Sequence, residues 1–176
     1  MKSFCSSIRP GAAAAVSILG CLCLAAQSVI PAHMSNTVFV TTAMEKERVQ
    51  VGESPKVFVT IKNLTDHAIY VGGCDSVRFY VQGEKGEPPT TRIERDFTGR
   101  LNPGEAPLPC TAVVIQQINP GGSYTSSAEL KYFYDLSLPG KYAVYVEVTS
   151  PEGWLRTDPV QFEILAKGPT PQKDSH

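Results

Sequence analysis

The sequence predicts an all-β fold, an antiparallel β-sandwich of about seven to nine strands. Candidate strands recur roughly every ten residues and are separated by turn residues, a spacing typical of sandwiches. In the clearest candidate, residues 56–62, Val57, Val59 and Ile61 alternate with more polar side chains. Such alternation places the apolar side chains on one face of a half-buried strand, which is how antiparallel sheets cover a core.

A turn before a long strand refines this prediction. Pro139 and Gly140 form a turn signal just before Tyr142, which begins a run of alternating apolar residues. In immunoglobulin-like sandwiches a tyrosine near the start of such a strand donates a hydrogen bond to the preceding backbone and fixes the crossover between sheets. We therefore expect an immunoglobulin-like sandwich with a structural corner formed by Asp135, Pro139, Gly140 and Tyr142.

The other elements follow from the same reasoning in chain order. The predicted strands are residues 37–42, 49–51 (continuing the first edge), 56–62, 68–71, 77–81, 111–118, 124–130, 142–148 and 160–164. Pro88 and Pro89 favour an extended return over residues 90–97, and residues 131–136 are expected to form a single helical turn. Three prolines between Gly99 and Cys110 exclude a helix there, because proline lacks an amide donor.

Length and charge indicate one domain of ordinary size. The chain has 176 residues and a net charge of −1. Its basic residues are scattered and form no stripe, which argues against a nucleic-acid partner. We place the domain at residues 37–166 and interpret the polar residues 167–176 as a disordered tail.

Residues 1–32 have the composition of an export signal. Lys2 and Arg9 lie at the start, and an uncharged, largely apolar run follows over residues 11–30. Cleavage after Ser28 or Ala32 would release a secreted or periplasmic protein. Two alternatives stay open, lipidation at Cys21 and an uncleaved membrane anchor, and both confine membrane contact to the N-terminus.

Cysteine usage agrees with export. Only Cys74 and Cys110 follow the signal, and two cysteines in an oxidising compartment form one disulfide. The bond would close a loop of about 36 residues and stabilise the fold by about 3–4 kcal/mol in the chain-entropy model. The alternative is two buried thiols. Two isolated cysteines do not make a metal site.

Sequence motifs for catalysis are missing. The chain lacks a His-Glu-x-x-His zinc motif, a Gly-x-Ser-x-Gly nucleophile elbow and a phosphate-binding loop. His67 beside Asp66 is a candidate general base, but a histidine in a surface turn is the commoner meaning. Glu94 and Asp96, two residues apart, are interpreted as part of a solvated face. We therefore predict no enzymatic activity and no cofactor.

The tripeptide Asn63-Leu64-Thr65 matches an acceptor for N-glycosylation. The same residues, followed by Asp66, also suit a turn between two strands, because Asn and Asp side chains bond to nearby backbone groups. We interpret the tripeptide as turn chemistry.

Some aromatic and basic residues are candidates for contact with a protein partner. Trp154, the single tryptophan, either stacks on a ligand at a loop tip or caps the core, and capping is the favoured interpretation. Tyr132 and Phe133 belong to the densest aromatic group, which would form a contact patch if exposed. Arg100 and Leu101 lie in the proline-rich loop that precedes Cys110.

Four turn segments carry a resemblance to known proteins. They are Asn63-Leu64-Thr65-Asp66, Asn119-Pro120-Gly121-Gly122-Ser123, Tyr134-Asp135-Leu136-Ser137 and Pro139-Gly140-Lys141-Tyr142. Together they resemble small exported bacterial immunoglobulin-like domains, similar to non-catalytic regions that accompany deuterolysin-like metallopeptidases. A weaker resemblance is to the intracellular proteinase-inhibitor family, which has a similar Pro-Gly-x-Tyr element.

Two hypotheses about function follow. The first is a non-catalytic exported module that binds an unknown protein partner or supports assembly at the cell envelope. The alternative is a secreted proteinase inhibitor that uses the loop from Gly99 to Cys110, with Arg100 and Leu101 entering a protease pocket. An extended loop tethered at Cys110 would lose little conformational entropy on docking.

Overall fold

The computed structural model describes residues 33–34, 37–73, 76–109 and 115–167. The predicted signal, Cys74, Cys110 and the tail beyond Lys167 lie outside these residues. The strands are β1 (His33–Met34), β2 (Val38–Met44), β3 (Arg48–Gln50), β4 (Lys56–Asn63), β5 (Ile69–Gly72), β6 (Val77–Gly83), β7 (Ile115–Ile118), β8 (Ser123–Glu129), β9 (Gly140–Ser150), β10 (Gly153–Arg156) and β11 (Val160–Leu165). One α-helix, α1 (Arg92–Phe97), and a 3-10 helix (Leu130–Tyr132) complete the described part.

The predicted β-rich class is confirmed, with strands arranged in three sheets. One sheet has the antiparallel order β1-β2-β4-β8, and β5 pairs with β7 in a separate ribbon. In the remaining sheet, β9 pairs with β6 along one side and with β11 and then β10 along the other. The eleven strands of the described residues exceed the expected seven to nine because several are short; β1 has two residues and β3 has three.

The two larger sheets bury their side chains in one shared core. Val57 and Val59 of β4 and Val144 and Val146 of β9 are all 0% exposed and belong to the same cluster. The alternation predicted for residues 56–62 is confirmed, since buried and half-buried side chains alternate along β4. Each buried valine favours folding by about 1.5–3 kcal/mol relative to an exposed one.

The first correction concerns β3, which does not continue the edge formed by β2. It pairs in parallel with β11, and the amide of Val51 donates to the carbonyl oxygen of Leu165 at 2.9 Å. The chain therefore crosses between the two larger sheets after Met44. As a result of this crossing, Val49 is buried in the shared core, with 4% of its surface exposed.

The second correction concerns residues 90–97, where the extended return was wrong. Thr91 is the N-cap of α1, and its Oγ1 accepts a hydrogen bond from the amide of Glu94 at 3.3 Å. A Thr followed three residues later by Glu is a sequence signal for a helix start. The prolines at 88 and 89 restrict only the residues up to that cap, so they place the helix start without preventing the helix.

The Tyr142 side chain lies at the crossover into β9. Its hydroxyl donates to the carbonyl oxygen of Leu138 at 2.8 Å, and its ring stacks on Phe162 with centroids 5.5 Å apart. Asp135 helps to shape the preceding turn, because its Oδ1 accepts from the amide of Ser137 at 3.1 Å. These contacts fix where the chain enters β9.

Gly83→Ala is expected to lower the free energy of unfolding by about 1–3 kcal/mol, the usual cost of overpacking. A Cβ at this position would lie 2.9 Å from Cε1 of Tyr142 and 3.2 Å from the carbonyl oxygen of Gly86. The Tyr142 ring is held by Phe162 and cannot move away freely. Urea denaturation measures the loss.

A matched background distinguishes this contact from a general effect of alanine. In a Tyr142→Leu background the cost of Gly83→Ala should fall well below its cost in the native background, since the opposing ring is gone. An equal cost in both backgrounds would contradict the packing explanation.

Candidate functional site

The outer surface of the sheet around β9 carries a cluster of aromatic and charged side chains. We call it the aromatic–arginine face and define it by Arg78, Tyr80, Tyr145, Glu147, Trp154 and Arg156. Tyr80 lies opposite Tyr145 in the strand register, and Glu147 lies opposite both Arg78 and Arg156. Because side chains alternate along a strand, these residues share the surface opposite the buried Phe79 and Val146.

Stacking contacts link the members of this face across three strands. The Arg78 guanidinium lies 4.2 Å from the centroid of the Trp154 ring. The rings of Tyr80 and Tyr145 stack with centroids 4.9 Å apart and planes 11° apart. The Arg156 guanidinium lies 4.6 Å from the centroid of Tyr145. Such cation–π and stacked pairs hold long side chains in defined positions before any ligand arrives.

Glu147 supplies the one carboxylate of the face. Its Oε1 accepts from Nε of Arg156 at 2.9 Å and from Nη2 at 2.6 Å. This bond raises the pKa of Arg156 above its ordinary value. Burial raises the pKa of Tyr80, the bond to Glu147 acts in the same direction, and the bond to Arg78 opposes them. The Tyr80 hydroxyl therefore stays protonated at neutral pH and is already bonded to side chains of this face.

Trp154 belongs to this face and not to the core, so the favoured core-capping interpretation was wrong. Its side chain is 42% exposed, whereas the next residue of β10, Leu155, packs against the core. The alternation along β10 explains the difference, since neighbouring residues point to opposite sides of the sheet.

The other predicted contact residues are mostly engaged within the molecule. Tyr132 is 52% exposed, but the ring of Phe133 packs against Phe79 with centroids 5.0 Å apart. Leu101 is half-buried. The Arg100 guanidinium bonds to the carboxylate of Glu87 at 2.9 Å and also to that of Glu94. Arg100 is thus committed to an internal ion pair, which weighs against its entering a protease pocket.

Tyr134, from the same aromatic group, is buried at 1% exposure. Its hydroxyl donates to the carbonyl oxygen of Phe79 in β6 at 3.0 Å, and burial raises its pKa. In the described residues β6 is bonded to β9 on one side only, so it is an edge strand. A buried tyrosine that occupies a backbone acceptor of an edge strand limits pairing with another chain.

Helix α1 and the loop after it are joined by ion pairs and backbone contacts. Arg95 bonds to Glu105 through both Nε, at 3.2 Å, and Nη2, at 2.6 Å. Arg92 donates to the carbonyl oxygen of Ala106 at 3.0 Å, and Asp96 accepts from the amide of Leu108 at 3.2 Å. The proline-rich loop is irregular, as predicted, yet it is fixed to the helix at several points.

The contact of this loop with α1 is expected to weaken as pH falls from about 4.5 to about 2. The bond to Arg95 lowers the pKa of Glu105 from 4.5 to about 2. Because the folded-state pKa lies below the unfolded one, the ion pair stabilises the fold fully above pH 4.5, and this stabilisation is lost as pH falls through the folded value.

An NMR titration of the Glu105 carboxyl and of the Asn102 amide, which donates to Oε2 of Glu105 at 2.9 Å, measures this effect. Glu105→Gln is the control and should remove the acidic transition at Asn102. Titration of the Glu105 carboxyl near its ordinary value would contradict the prediction.

The remaining candidate catalytic groups are not assembled into a site. Nδ1 of His67 lies 3.0 Å from Oδ1 of Asp66, but the two side chains are 72% and 100% exposed in a turn. Their hydrogen bond lowers the pKa of Asp66. Glu94 and Asp96 lie on α1, with Glu94 buried and Asp96 bonded to the loop, so the solvated-face interpretation was wrong for Glu94. Within residues 37–73, 76–109 and 115–167 no three His, Cys, Asp or Glu side chains group as a metal site.

An apolar groove of about 350 Å³ opens between the sheets. Phe79, Phe97, Phe133 and Tyr124 are among its lining residues, and no charged side chain of the described part lines it. Acid–base catalysis requires a titratable group within hydrogen-bond reach of the substrate. Among the described lining residues Tyr124 is the one titratable side chain, and the rest of the surface is mostly hydrophobic.

The Asn63 side chain is inaccessible, which agrees with its interpretation as a turn residue. It is 0% exposed, and its Nδ2 donates to the carbonyl oxygens of His67 at 2.8 Å and Ile118 at 2.9 Å. Its Oδ1 accepts from the amide and the hydroxyl of Thr65. A glycan on this nitrogen would require these bonds to break.

No protein-family model matches the chain, and no curated protein does either. Among solved structures, the chain is similar to a β-glucosidase from Listeria innocua in complex with isofagomine, at 22% identity and a TM-score of 0.42 over 74% of this chain and 16% of the other. It is also similar to a β-glucosidase from Erythrobacter marinus, at 13% identity and a TM-score of 0.45 over 73% and 15%.

A third similar structure is the alkylpurine DNA glycosylase AlkC from Pseudomonas fluorescens bound to DNA with an abasic site analog, at 12% identity and a TM-score of 0.37. That match covers 71% of this chain and 30% of the other. The chain thus spans less than a third of each of these three proteins.

Every described helix of this chain is too short or too polar to cross a membrane.

Most of the aromatic–arginine face was not predicted from the sequence. Arg78 and Tyr80 were available as outward positions of a predicted strand, and so was Tyr145. The sequence does not show that β6 pairs with β9 and that β9 pairs with β10. These pairings bring the residues of the face together. An aromatic residue at a polar position of two neighbouring strands is the signal that would have found the face.

Proposed function

We propose that this protein is a non-catalytic, exported, immunoglobulin-like module that binds a protein partner through the aromatic–arginine face. The immunoglobulin-like assignment is supported by two sheets that share one core and by the bond from Tyr142 to Leu138 at the entrance to β9. β3 adds a parallel edge strand to the sheet that contains β11, and the chain reaches β3 from the sheet that contains β2.

The composition of the face is the single observation that carries the proposal. Tryptophan, tyrosine and arginine are the residues that dominate binding energy at protein interfaces. Here five of them stack in a fixed arrangement on the sheet surface: Trp154, Tyr80, Tyr145, Arg78 and Arg156. Side chains already ordered in the free protein lose less entropy on binding.

The dispersed carboxylates, and a groove whose described lining residues are uncharged, support a non-catalytic role. The composition of residues 1–32 supports export to the periplasm or the exterior. In that compartment Cys74 and Cys110 would form a disulfide, and lipidation at Cys21 is the alternative that would keep the module at a membrane.

Site-specific photocrosslinking in the cells that produce the protein tests the proposal. A photoreactive residue replaces Gln82 or Gln161, two exposed positions at the border of the face, or Lys62, an exposed position on the other large sheet. We expect a protein adduct from the first two positions and none from Lys62. Equal adducts from all three, or none from Gln82 and Gln161, would overturn the proposal.

A further inference from the structure

We infer that the aromatic–arginine face recognises a carboxylate-rich segment of the partner protein, and that Arg78 makes the decisive contact. This inference rests on the proposed function and names the chemistry of the partner at the same surface. It is carried by the unusual state of Arg78 among the arginines of the described residues.

No carboxylate of the described residues forms an ion pair with Arg78. Arg48, Arg95, Arg100 and Arg156 each form an ion pair with a glutamate. Arg92 donates to a backbone carbonyl instead. The Nε atom of Arg78 is buried without a hydrogen-bond partner, and the guanidinium contacts the neutral Tyr80 side chain. Glu147, opposite Arg78 in the strand register, pairs with Arg156 instead.

The Trp154 ring keeps this guanidinium in place. With the guanidinium carbon 4.2 Å from the ring centroid, the cation is held over the Trp154 ring. A guanidinium offers several N–H donors in one plane, which match the two oxygens of a carboxylate. The site is thus ordered and positively charged.

The charges of the face favour an acidic ligand. Two guanidiniums, Arg78 and Arg156, stand against the single carboxylate of Glu147, so the face has a net positive charge. Glu147 is already bonded to Arg156 and its side chain is only 14% exposed. A ligand carboxylate would therefore meet an excess of donors, and complementary charge would also steer its approach.

The arrangement of the rings favours a protein segment over a neutral sugar. Sugars bind such surfaces by stacking on free aromatic faces. One face of Trp154 is covered by Arg78, Tyr80 and Tyr145 stack on each other, and Tyr145 also carries Arg156. The ring surface left for stacking is small, whereas the excess positive charge of the two guanidiniums remains.

The test uses the purified protein and three probes, with selective excitation of Trp154, the single tryptophan. The probes are an N-acetylated decapeptide of alternating Glu and Gly, the same peptide with Gln in place of Glu, and polygalacturonate, which carries carboxylates on a sugar chain. Fluorescence titration gives the affinities, and the NMR signals of the Trp154 indole and Arg78 Nε–H locate the contact. Arg78→Gln is the test variant, and Arg48→Gln is the control with the same change of charge on a paired arginine of the same sheet.

We expect the Glu peptide to bind and to shift both signals, the Gln peptide to bind much more weakly, and added salt to reduce the affinity. Arg78→Gln should weaken Glu-peptide binding about tenfold or more, and Arg48→Gln less than about twofold, because only the first removes a charge-assisted hydrogen bond to the ligand. Unchanged circular dichroism and unfolding temperature of Arg78→Gln would show that the loss is local.

The inference is overturned if the Glu peptide fails to bind, if polygalacturonate alone binds, or if both arginine variants lose the same affinity. These outcomes are separable from the proposed function. If a partner crosslinks at Gln82 and Arg78→Gln leaves the affinity for the Glu peptide unchanged, the inference about an acidic segment is wrong. The proposal of partner binding would still hold. An absent adduct would remove the proposal itself.

Discussion

Arg100→Leu is expected to lower the free energy of unfolding by about 3 kcal/mol, the lower end of the cost of breaking a buried ion pair. Glu94 is 1% exposed, and Arg100 is its one charged partner in the described residues. Its second oxygen, Oε2, is buried without a hydrogen bond, so the carboxylate depends on the Arg100 contact. Without the guanidinium a buried charge stays unpaired. The cost is at the lower end because Arg100 itself is 44% exposed.

Urea denaturation measures the effect, and two variants make it specific. Arg92→Leu removes a guanidinium from α1, the helix that carries Glu94. In the described residues this guanidinium bonds to a backbone carbonyl, so its loss should cost about 1 kcal/mol or less. Adding Glu94→Gln to Arg100→Leu removes the buried charge and should recover part of the loss. Equal effects of Arg100→Leu and Arg92→Leu would contradict this account of Glu94.

Asn63→Ala is expected to cost about 1–3 kcal/mol, because it removes the side-chain donor of the buried Ile118 carbonyl oxygen. The carbonyl oxygen of His67, in the turn after β4, also loses its bond to Asn63 but still accepts from the Thr65 hydroxyl. The amide therefore joins a local turn to a strand that is 55 residues away in sequence. Its loss would loosen the connection between β4 and the β5–β7 ribbon.

Asn119→Ala is the matched control for this prediction. The Asn119 side chain is exposed, and its Oδ1 accepts a single bond from Gln117 at 3.1 Å. We expect a change within about 0.5 kcal/mol, as for most surface substitutions. Thermal unfolding of both variants gives the comparison, and an Asn63→Ala loss no larger than that of Asn119→Ala would refute the linking role.

The parts of the fold that depend on local pattern were predictable. The alternation of Val57, Val59 and Ile61 identifies both the strand and its buried face, because a period of two has no other simple meaning. The Pro139-Gly140 turn likewise locates the start of β9, where Tyr142 bonds to the preceding backbone.

Two kinds of feature escaped. The first is a conflict between local signals. Thr91 and Glu94 signal a helix start, but Pro88 and Pro89 suggested an extended segment. The residues that follow the Thr91 cap form the helix. The second is long-range pairing. Nothing in the sequence shows that β6 and β10 both border β9, and that register alone brings Arg78 to Trp154.

The most direct test of the central claim is hydroxyl-radical footprinting of the protein in the cells that produce it and after purification. The exposed aromatic residues provide an internal comparison, since Trp154 is 42% exposed on the aromatic–arginine face while Tyr70 is 68% exposed on β5. We expect oxidation of Trp154 to be strongly suppressed in the cells and to rise on purification, with Tyr70 unchanged. Equal oxidation of Trp154 in both states, or protection of Tyr70 instead, would contradict a partner at this face.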